Sequence, residues 1–160
     1  MMQVFFDIYM ILIITKERFK MEFLKDYVEY AVLAVLLIMS FVALSITIER
    51  YFFYKKVNLK QFKTKNEIEI GLTNNLAALS IIGSNAPYVG LLGTVGGIMI
   101  VFYDMGTQSS IDPNVIVIGL SMALKVTAVG LLVAIPTTIV YNMYLRKVDT
   151  MMGKWEDEIA

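Results

Sequence analysis

Two threonines, Thr94 and Thr127, carry the chemistry this chain can be read to perform. Each lies on a helically spaced stripe of small residues inside a charge-poor run: Gly90-Leu-Leu-Gly-Thr-Val-Gly-Gly-Ile-Met99 and Ala123-Leu-Lys-Val-Thr-Ala-Val-Gly-Leu-Leu-Val-Ala-Ile-Pro136. Ala86, Gly90, Gly93, Thr94 and Gly97 share one face, as do Gly119, Ala123, Thr127, Gly130, Ala134 and Thr138. Small residues let helix backbones approach, and a hydroxyl on such a face needs a polar partner that lipid cannot supply. A threonine hydroxyl can orient water or a carboxylate but does not titrate near neutral pH, so it can line a proton path without being its acid. For either threonine alone, a bond back to its own helix is the ordinary alternative. Lys125 is the one charge inside the last apolar run; it falls about 200° around the helix from Thr127, which favours an intramembrane interface over the threonine face.

Other chemistries are scarce. The chain has no cysteine and no histidine, which removes disulfides, thiol nucleophiles, imidazole catalysis and the commonest transition-metal ligands. No catalytic residue, metal site or cofactor is expected, and an enzyme is disfavoured. Fourteen basic and fourteen acidic residues cancel, leaving no global charge for nucleic acid. A hydrophobic content of 58% places the chain among membrane proteins.

The elements that position the threonines are three apolar runs, which predict an all-α membrane protein with three transmembrane helices and cytoplasmic helical extensions. A bilayer core needs about 20 apolar helical residues. Spans are expected at about 28–48, 86–105 and 114–138. Ile68, Leu72, Leu76, Leu79 and Ile82 recur at helical spacing and predict an amphipathic helix leading into the second span, with Pro87 kinking the join or starting the span. The segment 49–85 reads as extensions of spans one and two joined near Asn58 or Asn66. The last apolar run, from Pro113 to Leu145, outreaches a bilayer and should project from it, with Asp112-Pro113 as its start.

Basic residues set the orientation. Arg50, Lys55, Lys56, Lys60, Lys63 and Lys65 follow span one, and Arg146, Lys147 and Lys154 follow span three, whereas the loop from Gly106 to Asp112 has none. The positive-inside rule puts the N-terminus outside and the C-terminus, with the tail 148–160, in the cytoplasm. Residues 1–20 form a leader, apolar over 1–14 apart from Gln3 and Asp7 and ending with Lys16, Arg18 and Lys20; either it lies on the membrane as a surface helix, or Met21 is the natural start.

Three motifs are similar to those of the ExbB/TolQ/MotA family of proton-channel subunits, and to its ExbB branch most of all: Ala86-Pro-Tyr-Val-Gly-Leu-Leu-Gly-Thr-Val-Gly-Gly-Ile-Met99, Thr127-Ala-Val-Gly-Leu-Leu-Val-Ala-Ile-Pro136, and Ile139-Val-Tyr-Asn142. The similarity covers roughly residues 21–147. It implies a multi-pass protein of the bacterial inner membrane, assembled as a homo-oligomer, a pentamer, around single-span partners of ExbD type. The partner would supply the membrane aspartate that this chain lacks, and proton flow would work on a TonB-type energy transducer. Thr94 and Thr127 match the family's pore-facing threonines. Met122 stands where many relatives carry a glutamate and Lys125 where leucine is common. The alternatives are a TolQ-like subunit with an envelope-maintenance client and a non-conducting scaffold whose small faces serve only packing.

Overall fold

The computed structural model describes the backbone over 2–107 and 113–159, and side chains at 27, 29–106, 113–114 and 116–158. Among the described residues four α-helices and one short 3-10 turn follow one another: α1 (Met2–Lys56), the 3-10 turn (Leu59–Gln61), α2 (Lys65–Thr73), α3 (Leu76–Thr107) and α4 (Pro113–Ile159). Among the described residues there is no strand, and three helices, carrying the runs Glu29–Lys56, Leu76–Gly106 and Ile116–Glu158, are long and apolar enough to cross a bilayer. The leader's side chains and Asp112, expected to start the last helix, lie outside the described residues.

Local chemistry explains the breaks. Lys55 and Lys56 occupy the last turn of α1, where cations suit the helix dipole. Asn58 then caps the 3-10 turn by accepting from the Lys60 amide at 3.1 Å. Thr64 caps α2, accepting from the Glu67 amide at 3.2 Å, while the Glu67 carboxylate reaches back to the Lys63 amide at 2.9 Å, a near relative of the capping box. The connection therefore falls at Asn58, and Asn66 sits inside a helix. The amphipathic run from Ile68 to Ile82 is not one helix as expected. It breaks after Thr73, and Asn75 takes a left-handed φ of 62°, a conformation asparagine tolerates better than most residues. Pro87 neither starts nor ends a helix; α3 runs through it, and α4 likewise runs through Pro136. Each proline forfeits one intrahelical bond, to Gly83 and to Leu132 respectively, which tertiary packing tolerates.

Two apolar clusters hold the bundle. The larger joins Ile68 and Leu72 of α2 and Leu76, Leu79 and Ile82 of α3 to Val148, Met151 and Trp155 near the end of α4, with Ala43 of α1. Side chains donate to backbone across it: Tyr54 to Leu72 O at 2.8 Å, Tyr144 to Thr47 O at 2.7 Å and Trp155 to Phe62 O at 3.2 Å. Exposed ion pairs run from Lys60 of the connector to Glu158 and from Lys65, at the start of α2, to Glu156 in the last turns of α4, and the carboxylates hold both ammonium groups above the ordinary lysine range. The smaller cluster, Leu36, Ala86, Val126 and Ala134, ties α1, α3 and α4 together closer to the threonines. Large apolar side chains such as Leu37, Phe41, Leu92 and Leu132 point outward, as suits a helix whose solvent is lipid.

Candidate functional site

The site begins with glycines that bring α3 and α4 into backbone contact. A Cβ built on Gly90 would stand 3.1 Å from the Thr127 Cα and 3.2 Å from the Gly130 Cα, and one on Gly130 would stand 2.8 Å from the Ala86 carbonyl oxygen. One on Gly97 would meet the Ala123 Cβ at 2.9 Å, and one on Gly119 the Val101 side chain at 2.6 Å. Gly93 faces Val126 of α4 and Val32 of α1, and Ala134 is buried in the smaller apolar cluster. The small-residue positions singled out in the sequence thus lie along one antiparallel helix seam.

Thr94 and Thr127 meet in that seam. Thr94 is 7% exposed and Thr127 partly buried, and their hydroxyls hydrogen-bond to each other. Ser45, Thr47, Thr73, Ser121, Thr137 and Thr150 each donate to the carbonyl four residues back in their own helix. The central pair exchanges those partners. The Thr94 hydroxyl lies 2.9 Å from Ala123 O, the carbonyl four residues before Thr127, and only 3.4 Å from its own Gly90 O. The Thr127 hydroxyl lies 3.2 Å from Gly90 O, four residues before Thr94.

Proton counting limits what this array can be. Two hydroxyls supply two protons, while the geometry offers the mutual contact and a carbonyl on either side. When Thr94 donates to Ala123 O, the mutual contact is filled by Thr127; when Thr127 donates to Gly90 O, it is filled by Thr94. The arrangements interconvert by rotating two hydroxyls, with no charge separated. Such a pair can pass a proton's effect by reversing direction, or hold a water or an acid, but it cannot store a proton.

Lys125 is exposed on α4 and makes no ion pair among the described residues. Sequence reasoning missed Glu29, which it placed only at a span end. The structure sets Glu29 on a small cavity of about 20 Å³ lined also by Gly93, Gly97, Gly119, Met122, Ala123 and Val126. A signal was available: Glu29 is in helical register with Val32 and Leu36, which face the same bundle interior, rather than with the outward residues of α1. No cluster of metal-ligating side chains occurs among the described residues.

Over 137 residues the chain is 55% identical to the biopolymer transport protein ExbB of Helicobacter pylori, covering 86% of this chain and 94% of that protein. It is 46% identical over 136 residues to the ExbB of Aquifex aeolicus, covering 85% and 92%. The Tol-Pal system protein TolQ of Pseudomonas aeruginosa is 38% identical over 84 residues, covering 52% of this chain and 36% of that protein. Residues 44–157, which include both threonines and the whole of α2 and α3, match a single family of transport proteins. With three helices able to span a bilayer and that match over most of its length, the chain is a multi-pass membrane protein belonging to the MotA/TolQ/ExbB proton channel family.

Proposed function

We propose that the chain is an ExbB-type subunit of the bacterial inner membrane that couples proton flow to TonB-dependent uptake across the outer membrane. The observation that carries this reading is the reciprocal Thr94–Thr127 hydroxyl pair, buried in a seam whose two helices bring no carboxylate to it. Hydroxyls can relay but not titrate, so the acid that receives protons beyond the pair is assigned to a partner, a single-span protein of ExbD type bearing a membrane aspartate. Copies of this chain, five in the expected assembly, would surround that partner. Outward apolar side chains on all three spans, Phe41, Leu92 and Leu132 among them, leave ample surface for neighbouring copies and lipid. The N-terminus lies in the periplasm and the basic connector and C-terminus in the cytoplasm, by the distribution of Lys and Arg. Two relatives named ExbB that match at 55% and 46% identity over 86% and 85% of the chain support the TonB-type client over a TolA-type one.

The test has two parts. Native mass spectrometry of the gently extracted chain with its co-expressed partner should find an oligomer of this chain enclosing the second polypeptide. In a strain lacking the native subunit, Thr94→Val and Thr127→Val should abolish energy-coupled uptake with oligomers intact. Full uptake in both variants refutes the relay role, and a monomer with no second polypeptide refutes the assembly.

A further inference from the structure

The hydroxyl pair needs a source of protons at one end, and α1 supplies a carboxylate beside it. Glu29 is partly exposed and has no hydrogen-bond or ion-pair partner among the described residues. It shares its cavity with small residues from both helices of the seam: Gly93 and Gly97 of α3, Gly119 and Ala123 of α4. Ala123 belongs to both features, because its carbonyl accepts the Thr94 hydroxyl. Gly93 is the immediate neighbour of Thr94. The cavity and the hydroxyl pair are therefore adjoining parts of one structure.

Size and lining suit one occupant. About 20 Å³ admits a single water, which requires some 10–15 Å³ and two or more polar contacts. The Glu29 carboxylate and the bare glycine backbone are the polar groups of the lining; Met122, Val126 and the glycines present no other titratable side chain. Along α4 the nearest charge is Lys125, which is exposed, and along α1 the neighbouring titratable group Tyr30 is 70% exposed. Glu29 is thus partly exposed while sharing a cavity with the seam.

We propose that Glu29 is the proton-collecting group on the outer side of the path, passing protons through one cavity water toward the Thr94–Thr127 pair. The proposal rests on the proton-channel reading and adds the residue where protons enter this subunit. The carboxylate takes a proton from outside water, becoming neutral. It then gives that proton to the cavity water, which releases another toward the hydroxyls, and returns to the carboxylate. The hydroxyl pair takes one proton as it gives one up to the carboxylate of the single-span partner, so no net charge stays in the seam.

The test measures acid-driven proton flux in proteoliposomes holding the full chain purified with its co-expressed single-span partner. Glu29→Gln keeps the shape and removes the titrating group, and flux should fall about a hundredfold with oligomer mass unchanged. Glu29→Asp should restore most of it. Wild-type flux in the Gln variant overturns the role of Glu29 while leaving the channel reading standing. Absence of flux in the wild-type complex overturns the channel reading and this proposal with it. Loss of assembly in both Glu29→Gln and Glu29→Met makes Glu29 a packing residue and overturns the proposal equally.

Discussion

The exchange of carbonyl partners between Thr94 and Thr127 makes a prediction that separates it from a simple mutual bond. Replace either threonine by valine and the surviving hydroxyl still has a carbonyl to donate to: Thr127 keeps Gly90 O at 3.2 Å, and Thr94 keeps Ala123 O at 2.9 Å. Each single variant therefore loses one bonded proton, and the double variant loses two. Interhelical hydrogen bonds in membranes are worth about 0.6 kcal/mol on average and up to about 1.7. Each single substitution should cost roughly that much, with Thr94→Val at the upper end because a methyl group must occupy a space 2.9 Å from a carbonyl oxygen. By this count of bonded protons the double variant should cost about the sum of the two, without the coupling that contacting residues usually show. Reversible unfolding in mixed micelles, over a range of denaturing detergent, reads these differences. Proton flux should behave in the opposite way, since a relay that needs both hydroxyls fails as fully in either single variant as in the double. The reasoning is refuted if one valine costs as much stability as two, because the hydroxyls would then depend on each other with no carbonyl to fall back on.

Packing and clasp residues give further expectations. Gly130→Ala would put a Cβ 2.8 Å from Ala86 O and 3.1 Å from the Gly90 Cα, so it should cost about 1–3 kcal/mol in the same unfolding assay and part the threonines; Gly153→Ala, with nothing within 4 Å, should be neutral or gain about 0.5–1 kcal/mol. Trp155→Ala removes a side chain 4% exposed together with its bond to Phe62 O, at about 3–5 kcal/mol, and should hasten proteolysis of the 57–64 connector. Lys60→Gln and Lys65→Gln remove only exposed ion pairs and should leave the unfolding midpoint unchanged in low or high salt.

How much of this was legible beforehand depends on whether the determining force is local. The three apolar runs and the helical class were readable because bilayer thickness imposes a length on the sequence itself. The glycine faces were readable because close approach demands small residues at a fixed period. Which carbonyl each threonine would choose was not, since the bond to its own helix satisfies the hydroxyl locally and only the register of α3 against α4 makes the exchange available. The break between α2 and α3 turned on Asn75 adopting a left-handed φ, while an unbroken hydrophobic period ran across it. Packing of the last turns of α4 against α2 was hidden because Trp155 lies in a charged tail, far in sequence from Ile68 and Leu72.

Glu29 shows the limit in another way. Its position at the edge of an apolar run is what a solvated span end looks like; its register with Val32 and Leu36 points to the bundle interior, but nothing within α1 shows that two other helices form a seam there. The distinction has energetic content. A carboxylate in place of Thr94, at 7% exposure between packed backbones, would be ionised only at a cost of several kcal/mol or more. A neutral hydroxyl pair suffers no such penalty and can still reverse its direction. On the proposed reading, acids belong where water reaches, at the partly exposed Glu29 on one side and on a partner helix beyond the pair, and the tight seam is left to groups that never ionise. The glycines that force α3 against α4 thus help determine the chemistry: by excluding water from the seam they leave hydroxyls as the polar groups that can be held there at little cost.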